Sequence, residues 1–193
     1  MIVNHPDLKV IYIHLAKCGG SSITKSIAKH LGVSREKYRP LQHKFLFSKN
    51  LTYEQWRNYF VFSIVRHPYA RIVSFYYYLQ QVRKPPNNLS SDVTFDRWIN
   101  KNGYLECPQM YPQITIDGKL DERIHFGTLE NIDRNWKIIC DKLGVDIPLI
   151  HDKATIHPPY YEIISRLLAP SYNKVKEYCK KDIELYNDIV VRK

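Results

Sequence analysis

The sequence lacks the features that mark several common classes of protein. Only four of its 193 residues are cysteine, and no two have the Cys-x-x-Cys spacing of zinc knuckles or thioredoxin-like sites. No apolar run approaches the roughly 20 residues of a membrane-spanning helix. The first residues lack the basic-then-apolar order of a signal peptide. These absences predict a soluble, cytoplasmic protein with free thiols.

Acidic residues are scarce relative to basic ones. Lys and Arg number 29 against 19 Asp and Glu, which gives a formal net charge of +10. This excess predicts an anionic partner, such as nucleic acid, an anionic membrane, an acidic polysaccharide or a charged nucleotide. The basic residues are scattered and no nucleic-acid recognition motif is present, so no specific nucleic acid is expected. The length and the 44% hydrophobic content predict a single domain over residues 1–193.

Two strand–turn–helix units are visible in the first half of the chain. Residues 8–14 form a short apolar run, followed by a glycine loop and a helix that Ser21 or Ser22 caps. Residues 60–65 form a second such run, and Pro68 suits the first turn of the helix behind it. This alternation predicts an α/β fold with a central parallel sheet flanked by helices. Ligands of such sheets bind beyond the carboxyl ends of the strands.

Weaker signals complete the predicted layout. Thr52 and Gln55 have the spacing of a capping box at a helix start. Asp117-Gly118 indicates a turn between short strands. Three more helices are expected, over residues 130–143, 160–168 and about 171–189, with Pro170 separating the last two.

The first loop, IHLAKCGGSS over residues 13–22, has the composition of a phosphate cradle. Its adjacent glycines let the backbone approach an anion, and the N–H groups of the following helix point toward it. Lys17 adds a positive charge, and Ser21 and Ser22 add hydroxyl donors. It is not a Walker A loop, in which lysine follows the last glycine. A glycine turn capped by serine is the alternative, which the lysine, strand and helix around it disfavour.

The second segment, VRHPYARIVS over residues 65–74, offers another anion clamp. Arg66 leaves the end of a strand, and Ser74 lies about two helical turns further on. An arginine fork with a hydroxyl can hold a phosphate. Taken alone, a surface arginine and a mid-helix serine would be the simpler interpretation.

Together the two segments resemble the sulfotransferases that use 3′-phosphoadenosine-5′-phosphosulfate (PAPS), and most closely their carbohydrate-type branch. That branch reads His-x-Pro-Lys-Thr-Gly-Gly-Thr-Ser at the first loop, from which this chain departs at Ala16, Cys18 and Ser21. At the second segment the branch reads Val-Arg-Asn/His-Pro-Tyr-Asp-Arg-x-x-Ser, and this chain departs from that pattern only at Ala70.

Two later blocks are also similar to this family. Residues 127–132, GTLENI, resemble its Gly-Arg-Phe-Glu-Asn-Leu, with Thr128 in place of the arginine. Residues 182–186, DIELY, resemble the family's C-terminal block. The blocks span most of the chain in the expected order.

The resemblance implies a P-loop-like sulfotransferase fold, PAPS as donor, release of 3′-phosphoadenosine-5′-phosphate (PAP), and no metal. It implies that Arg66 and Ser74 hold the 3′-phosphate. The residues that would hold the 5′-phosphosulfate are Lys17, Cys18, Gly19, Gly20, Ser21 and Ser22. Lys153, in the loop before His157, is a candidate to close over the nucleotide, a solvated lysine being an equally good interpretation.

Catalysis requires a cation at the leaving group and a base at the acceptor. Lys17 is the candidate cation. His43 is the candidate base, because the carbohydrate-type branch often carries a histidine there and imidazole titrates near neutral pH. An exposed loop histidine is the alternative for His43, and Glu130 is the next candidate. Gln113 is a weak candidate for an acceptor contact.

The function expected is therefore transfer of a sulfuryl group from PAPS to a hydroxyl or amine, with carbohydrate as the expected acceptor. A nucleotide kinase of the P-loop type is one alternative, which the missing Gly-Lys-Ser/Thr disfavours. A non-enzymatic basic protein that binds acidic glycan or nucleic acid is another, suggested by the net charge alone.

Overall fold

The structure, a computed structural model, divides into two compact units. Unit 1 comprises Met1–Val65 and Met110–Asp152, and unit 2 comprises Arg66–Gln109 and Lys153–Lys193. The residues that the structure describes are 1–34, 51–82, 94–116, 118–152 and 157–191.

Unit 1 is built on a mostly parallel sheet of four strands, in the order β1-β2-β3-β6. The strands of the unit are β1 (Ile2–His5), β2 (Leu8–Ile13), β3 (Phe60–Val65), β4 (Thr115–Ile116), β5 (Lys119–Leu120) and β6 (Ile124–Thr128). β2, β3 and β6 run parallel, whereas β1 is antiparallel to β2. The carboxyl ends of the three parallel strands therefore lie at one edge. The predicted α/β fold with helices flanking this sheet is confirmed.

Most helices lie close to the positions that the sequence predicts. They are α1 (Gly20–His30), α2 (Tyr53–Asn58), α3 (Pro68–Val82), α4 (Phe95–Asn100), α5 (Tyr111–Ile114), α6 (Ile132–Leu143), α7 (Tyr160–Ser165) and α8 (Ala169–Val191). The capping box at α2 is confirmed, since Thr52 Oγ1 accepts from the Gln55 N–H and Gln55 Oε1 accepts from the Thr52 N–H.

Each unit has its own apolar core. In unit 1, alternate residues of the sheet pack with α1 and α6, and Val10, Phe62 and Trp136 are among the buried members. In unit 2, one face of α3 packs with α4, α7 and α8, and Leu79, Trp98 and Val175 are among the buried members. The alternation of apolar residues along these strands and helices explains which faces are buried.

Three sequence expectations need correction. α1 is capped by Gly19 rather than by Ser21 or Ser22, because the left-handed backbone of Gly19 (φ 76°) starts the helix earlier. Pro170 lies in the first turn of α8 and does not separate two helices, because proline is tolerated where the N–H has no intrahelical partner. The antiparallel strand β1 was not predicted at all.

Candidate functional site

The first loop follows β2 and is shaped by unusual backbone angles. Lys17 has φ 63° and Gly19 has φ 76°, both in the left-handed region. A non-glycine residue adopts this region at a cost of roughly 1–2 kcal/mol. Lys17 is therefore held in a strained conformation that the surrounding loop imposes, as is common where a backbone wraps a ligand.

The buried ring of His14 fixes the shape of this loop. It is stacked on Tyr12, with ring centroids 5.5 Å apart, and Tyr12 is stacked on Phe62 at 4.8 Å. A Cβ at Gly20 would lie 1.7 Å from His14 Nε2, so the backbone of Gly20 rests directly against the imidazole. Only glycine fits there. This packing is consistent with a structural, loop-orienting role for His14.

The first turn of α1 adds a partial positive charge to the loop. Its residues Gly20, Ser21 and Ser22 direct their backbone N–H groups along the helix axis, where the dipole favours an anion. Gly19, the N-cap residue, has no side chain and so makes no side-chain hydrogen bond to this turn. A strained lysine and an N-terminal helix turn thus meet in one loop, as the sequence predicts for a phosphate cradle.

A distant segment of unit 1 is fastened to the same helix. Asp152 donates its backbone N–H to Ser22 Oγ at 3.1 Å, and the Ile150 N–H donates to Ser26 Oγ at 2.8 Å. Asp152 also forms an ion pair with Lys25. No local sequence pattern predicts these contacts, because they join residues more than 120 positions apart.

Cys18 faces the interior. It is fully buried, and its Sγ lies 3.5 Å from the carbonyl oxygen of Ala16. Burial raises the pKa of the neighbouring Tyr12 phenol well above its ordinary value, and Cys18 adds to the effect. The side chain of Cys18, at the position where the family pattern has threonine, therefore packs inside the protein.

The second segment begins unit 2. Arg66 directly follows β3, and Ser74 lies in α3 with 3% of its surface exposed. His67 is surrounded by aromatic rings, with centroid distances of 4.7 Å to Tyr160 and 5.3 Å to Tyr186. Such packing matches a structural role for His67 rather than that of a base.

Arg71 anchors the second segment from within. Its Nη1 donates to Asp182 Oδ2 at 3.1 Å, both side chains being only 2% exposed, and its Nη2 donates to the carbonyl of Pro108. The predictions did not include this pair, although both residues lie in blocks that resemble the family. An ion pair this buried fixes α8 and the chain near Pro108 to α3.

A comparison with known protein families decides what these loops belong to. The model of the sulfotransferase family matches residues 1–157, which is most of the chain. The chain belongs to the sulfotransferase family. Membership implies sulfotransferase activity with PAPS as donor, and the enzyme class expected from the sequence is thereby supported. No curated protein and no solved structure matches the chain.

The remaining candidate residues of this sulfotransferase differ in their surroundings. Thr128 is buried, and its Oγ1 accepts from Asn135 Nδ2 at 3.2 Å, so it ties β6 to α6. Glu130 is exposed in a short turn after β6, and Gln113 is buried in α5. His43 and Lys153 lie outside the described residues.

The described part of the chain contains neither a membrane-spanning helix nor a cluster of metal-binding side chains. No helix there has the length and apolarity to cross a membrane. No three His, Cys, Asp or Glu residues come together there in a way that would hold a metal ion.

Proposed function

We propose that this sulfotransferase transfers a sulfuryl group from PAPS to a hydroxyl of a carbohydrate, as the carbohydrate-type branch does. The observation that carries the proposal is the first loop, in which the Gly20 backbone lies against His14 and Lys17 is held at positive φ. The first turn of α1 directs its backbone N–H groups into that loop, where an anion is stabilised. The net charge of +10 also favours an anionic acceptor, such as an acidic polysaccharide.

The loop residues fit the 5′-phosphosulfate. Backbone N–H groups of Gly19 and Gly20 and the hydroxyls of Ser21 and Ser22 are suitable donors, and Cys18 contributes its backbone N–H because its thiol points inward. Lys153 is proposed to cover the nucleotide. Its neighbour Asp152 supports this, since it donates its N–H to Ser22.

Arg66 and Ser74 are proposed to hold the 3′-phosphate. The guanidinium can form two parallel hydrogen bonds to phosphate oxygens, and a hydroxyl can donate a third. The buried ion pair between Arg71 and Asp182 supports this assignment, because it makes the helix that carries Ser74 a rigid platform.

In the proposed mechanism PAPS supplies the sulfuryl group and leaves as PAP. The ammonium of Lys17 stabilises the negative charge that develops on the leaving oxygen, which is where a fixed charge accelerates the reaction most. His43 accepts the proton of the acceptor hydroxyl. Glu130, being exposed at the end of β6, is the residue to test next.

The proposal is tested first by ligand binding and an acceptor screen. PAP should raise the melting temperature far more than ATP does, because ATP lacks the 3′-phosphate. A screen with labelled PAPS should then find sulfated carbohydrate among saccharide, small alcohol, lipid and tyrosyl peptide acceptors. Equal stabilisation by PAP and ATP would contradict the roles of Arg66 and Ser74, and sulfation of peptide alone would contradict the carbohydrate acceptor.

The role of His43 is tested by His43→Ala. We expect the rate on an alcohol acceptor to fall by about two to four orders of magnitude while PAP affinity is unchanged. The loss of rate of the native enzyme below a pH of about 6.5 should also disappear in the variant. A variant with full rate would exclude His43 as the base, and one with weakened PAP binding would make it a donor contact.

A further inference from the structure

Unit 2 contains a pocket that the proposed donor site does not use. Its volume is about 410 Å³, within the range of roughly 300–1,000 Å³ that is common for small-molecule sites. The residues that line it are Tyr69, Tyr160, Tyr161, Ile164, Ser165, Leu167, Ala169 and Tyr172. Half of them are tyrosines, and none carries a formal charge. The lining is therefore suited to a neutral ring rather than to a phosphate.

The tyrosines of this pocket, which we call the tyrosine pocket, are held by one another. The rings of Tyr69 and Tyr172 meet edge-on, with their centroids 6.5 Å apart. Tyr160 is stacked on His67 and meets Tyr161 edge-on at 5.9 Å. Burial and the contact with Tyr172 raise the pKa of Tyr69 to about 12, so its hydroxyl stays protonated. The rings are thus arranged before any ligand arrives, which lowers the entropy lost on binding.

The rim of the tyrosine pocket leaves large side chains in contact with water. Tyr161 is 62% exposed and Tyr172 is 37% exposed, and Leu168, between two lining residues, is 65% exposed. Exposed apolar and aromatic side chains that adjoin a pocket provide surface on which a ligand can pack.

The family match separates this pocket from the shared donor machinery. The family model ends at residue 157, and seven of the eight lining residues lie beyond it. The exception is Tyr69, which lies in the second segment three residues after Arg66. Members of one family share the donor but differ in the acceptor. A site formed mainly outside the matched segment is therefore expected to recognise the acceptor.

We propose that the tyrosine pocket binds a sugar ring of the acceptor glycan. A pyranose has an apolar C–H face and a rim of hydroxyls, which match the flat faces of the tyrosines and their phenolic edges. Ser165 adds a hydroxyl to the lining, and the exposed Arg166 and partly exposed Glu162 beside it leave no net charge there. This inference rests on the proposed carbohydrate acceptor. It assigns the pocket to binding and not to the chemical step.

The test uses two hexasaccharides, neutral cellohexaose and acidic hyaluronan hexasaccharide, titrated into the intact protein by calorimetry. Tyr161→Ala should weaken binding about 3- to 10-fold, the loss expected for one aromatic contact, and Tyr161→Phe should retain most of the affinity. Tyr53→Ala is the matched control, since Tyr53 is 77% exposed and does not line the pocket. Ala169→Trp, which fills the pocket with every tyrosine retained, should also weaken binding.

Separate readouts distinguish this inference from the proposed function. All variants should keep the rise in melting temperature on adding PAP. With a glycan that the enzyme sulfates, Tyr161→Ala and Ala169→Trp should raise KM with kcat unchanged, whereas Tyr53→Ala should change neither. Loss of PAP binding in Tyr161→Ala would make the pocket a nucleotide site and overturn the inference. Glycan sulfation that is insensitive to Tyr161 and Ala169 would overturn it as well, while leaving the proposed function intact. Sulfation of peptide alone would overturn the carbohydrate acceptor and, with it, the assignment of this pocket to the acceptor, even if the hexasaccharides bind.

Discussion

The two segments that we propose bind the anionic groups of PAPS are built in different ways. In the first loop the backbone would contact the anion, and its shape depends on positive φ at Lys17 and Gly19 and on the absence of a side chain at Gly20. In the second segment side chains would make the contacts: that of Arg66, which directly follows β3, and that of Ser74, whose position depends on the regular helix α3.

This difference determines which substitutions each segment tolerates. A backbone cradle fails when its φ angles or its clearance change, even where the substituted side chain touches no ligand. A helix-borne site fails when the helix is displaced or when the ligating atom itself is removed. The support of the second segment, the Arg71–Asp182 pair, is therefore as important to it as Gly20 is to the first.

The largest effect is expected from removing that support. Asp182→Ala leaves the guanidinium of Arg71 buried without its carboxylate, which typically destabilises a protein by about 3–5 kcal/mol. Thermal or urea unfolding measures the loss. Asp141→Ala is the control, because Asp141 pairs with Lys137 at the surface, where such pairs contribute little to stability.

A double variant distinguishes charge from packing in the same support. Arg71→Met with Asp182→Leu removes both charges at once, and such replacements are often neutral or stabilising. It should recover much of the stability lost in Asp182→Ala. If Asp182→Ala is no less stable than Asp141→Ala, the pair does not hold α3 and the comparison fails.

A smaller but more specific effect is expected at Lys17. Lys17→Gly removes the charge and also relieves the strain of φ 63°. We expect kcat to fall by about 10²–10³, the usual result of removing one group that stabilises developing charge. Thermal stability should stay level or rise. Asn102→Gly, at the other non-glycine residue with positive φ in the described part of the chain, should change stability without changing kcat. Near-normal kcat in Lys17→Gly would show that another cation acts.

Much of this architecture follows from local sequence patterns. The apolar runs of β2 and β3, the stop of α6 at Gly144 and the capping box at Thr52 were all predicted, because each depends on neighbouring residues. The strand β1 was missed because its four residues alternate weakly and its pairing partner fixes its conformation.

The site was predicted in composition but not in its supports. The glycines, lysine and serines of the first loop are recognisable from neighbouring residues alone. The packing of His14 on Gly20 instead depends on the stacking of His14 on Tyr12 and of Tyr12 on Phe62 of the next strand. The same holds for Asp152 on Ser22 and for Arg71 with Asp182, which join residues more than 100 positions apart. Long-range contacts of this kind leave no periodic pattern in a single sequence.

The close approach of the Gly20 backbone to the ring of His14 is tested by Gly20→Ala. The added methyl would overlap the ring of His14, so the loop must shift. Overpacking of this kind costs about 1–3 kcal/mol of stability, and a displacement of 1 Å at a site can lower kcat/KM about 100-fold. The combined variant with His14→Ala restores the space and should recover part of the PAP-induced rise in melting temperature.

Gly144→Ala serves as the control for this prediction. Gly144 has φ 67° and open space around its Cα, so alanine there strains the backbone without a clash. It should reduce stability and leave PAP binding unchanged. If Gly20→Ala binds PAP as tightly as Gly144→Ala does, PAP binding does not depend on the close packing of Gly20 against His14.

The smallest effect is expected at Ser74, where a single hydroxyl is removed from a helix that stays intact. A hydrogen bond to a charged phosphate contributes about 1.5–3 kcal/mol, so Ser74→Ala should weaken PAP binding at least about 10-fold. Adenosine 5′-monophosphate, which lacks the 3′-phosphate, should bind the variant and the native enzyme equally well. The difference between the two ligands isolates the contact from any general loss of structure in α3. A loss of affinity that is the same for both would show that Ser74 supports the helix rather than binding the 3′-phosphate.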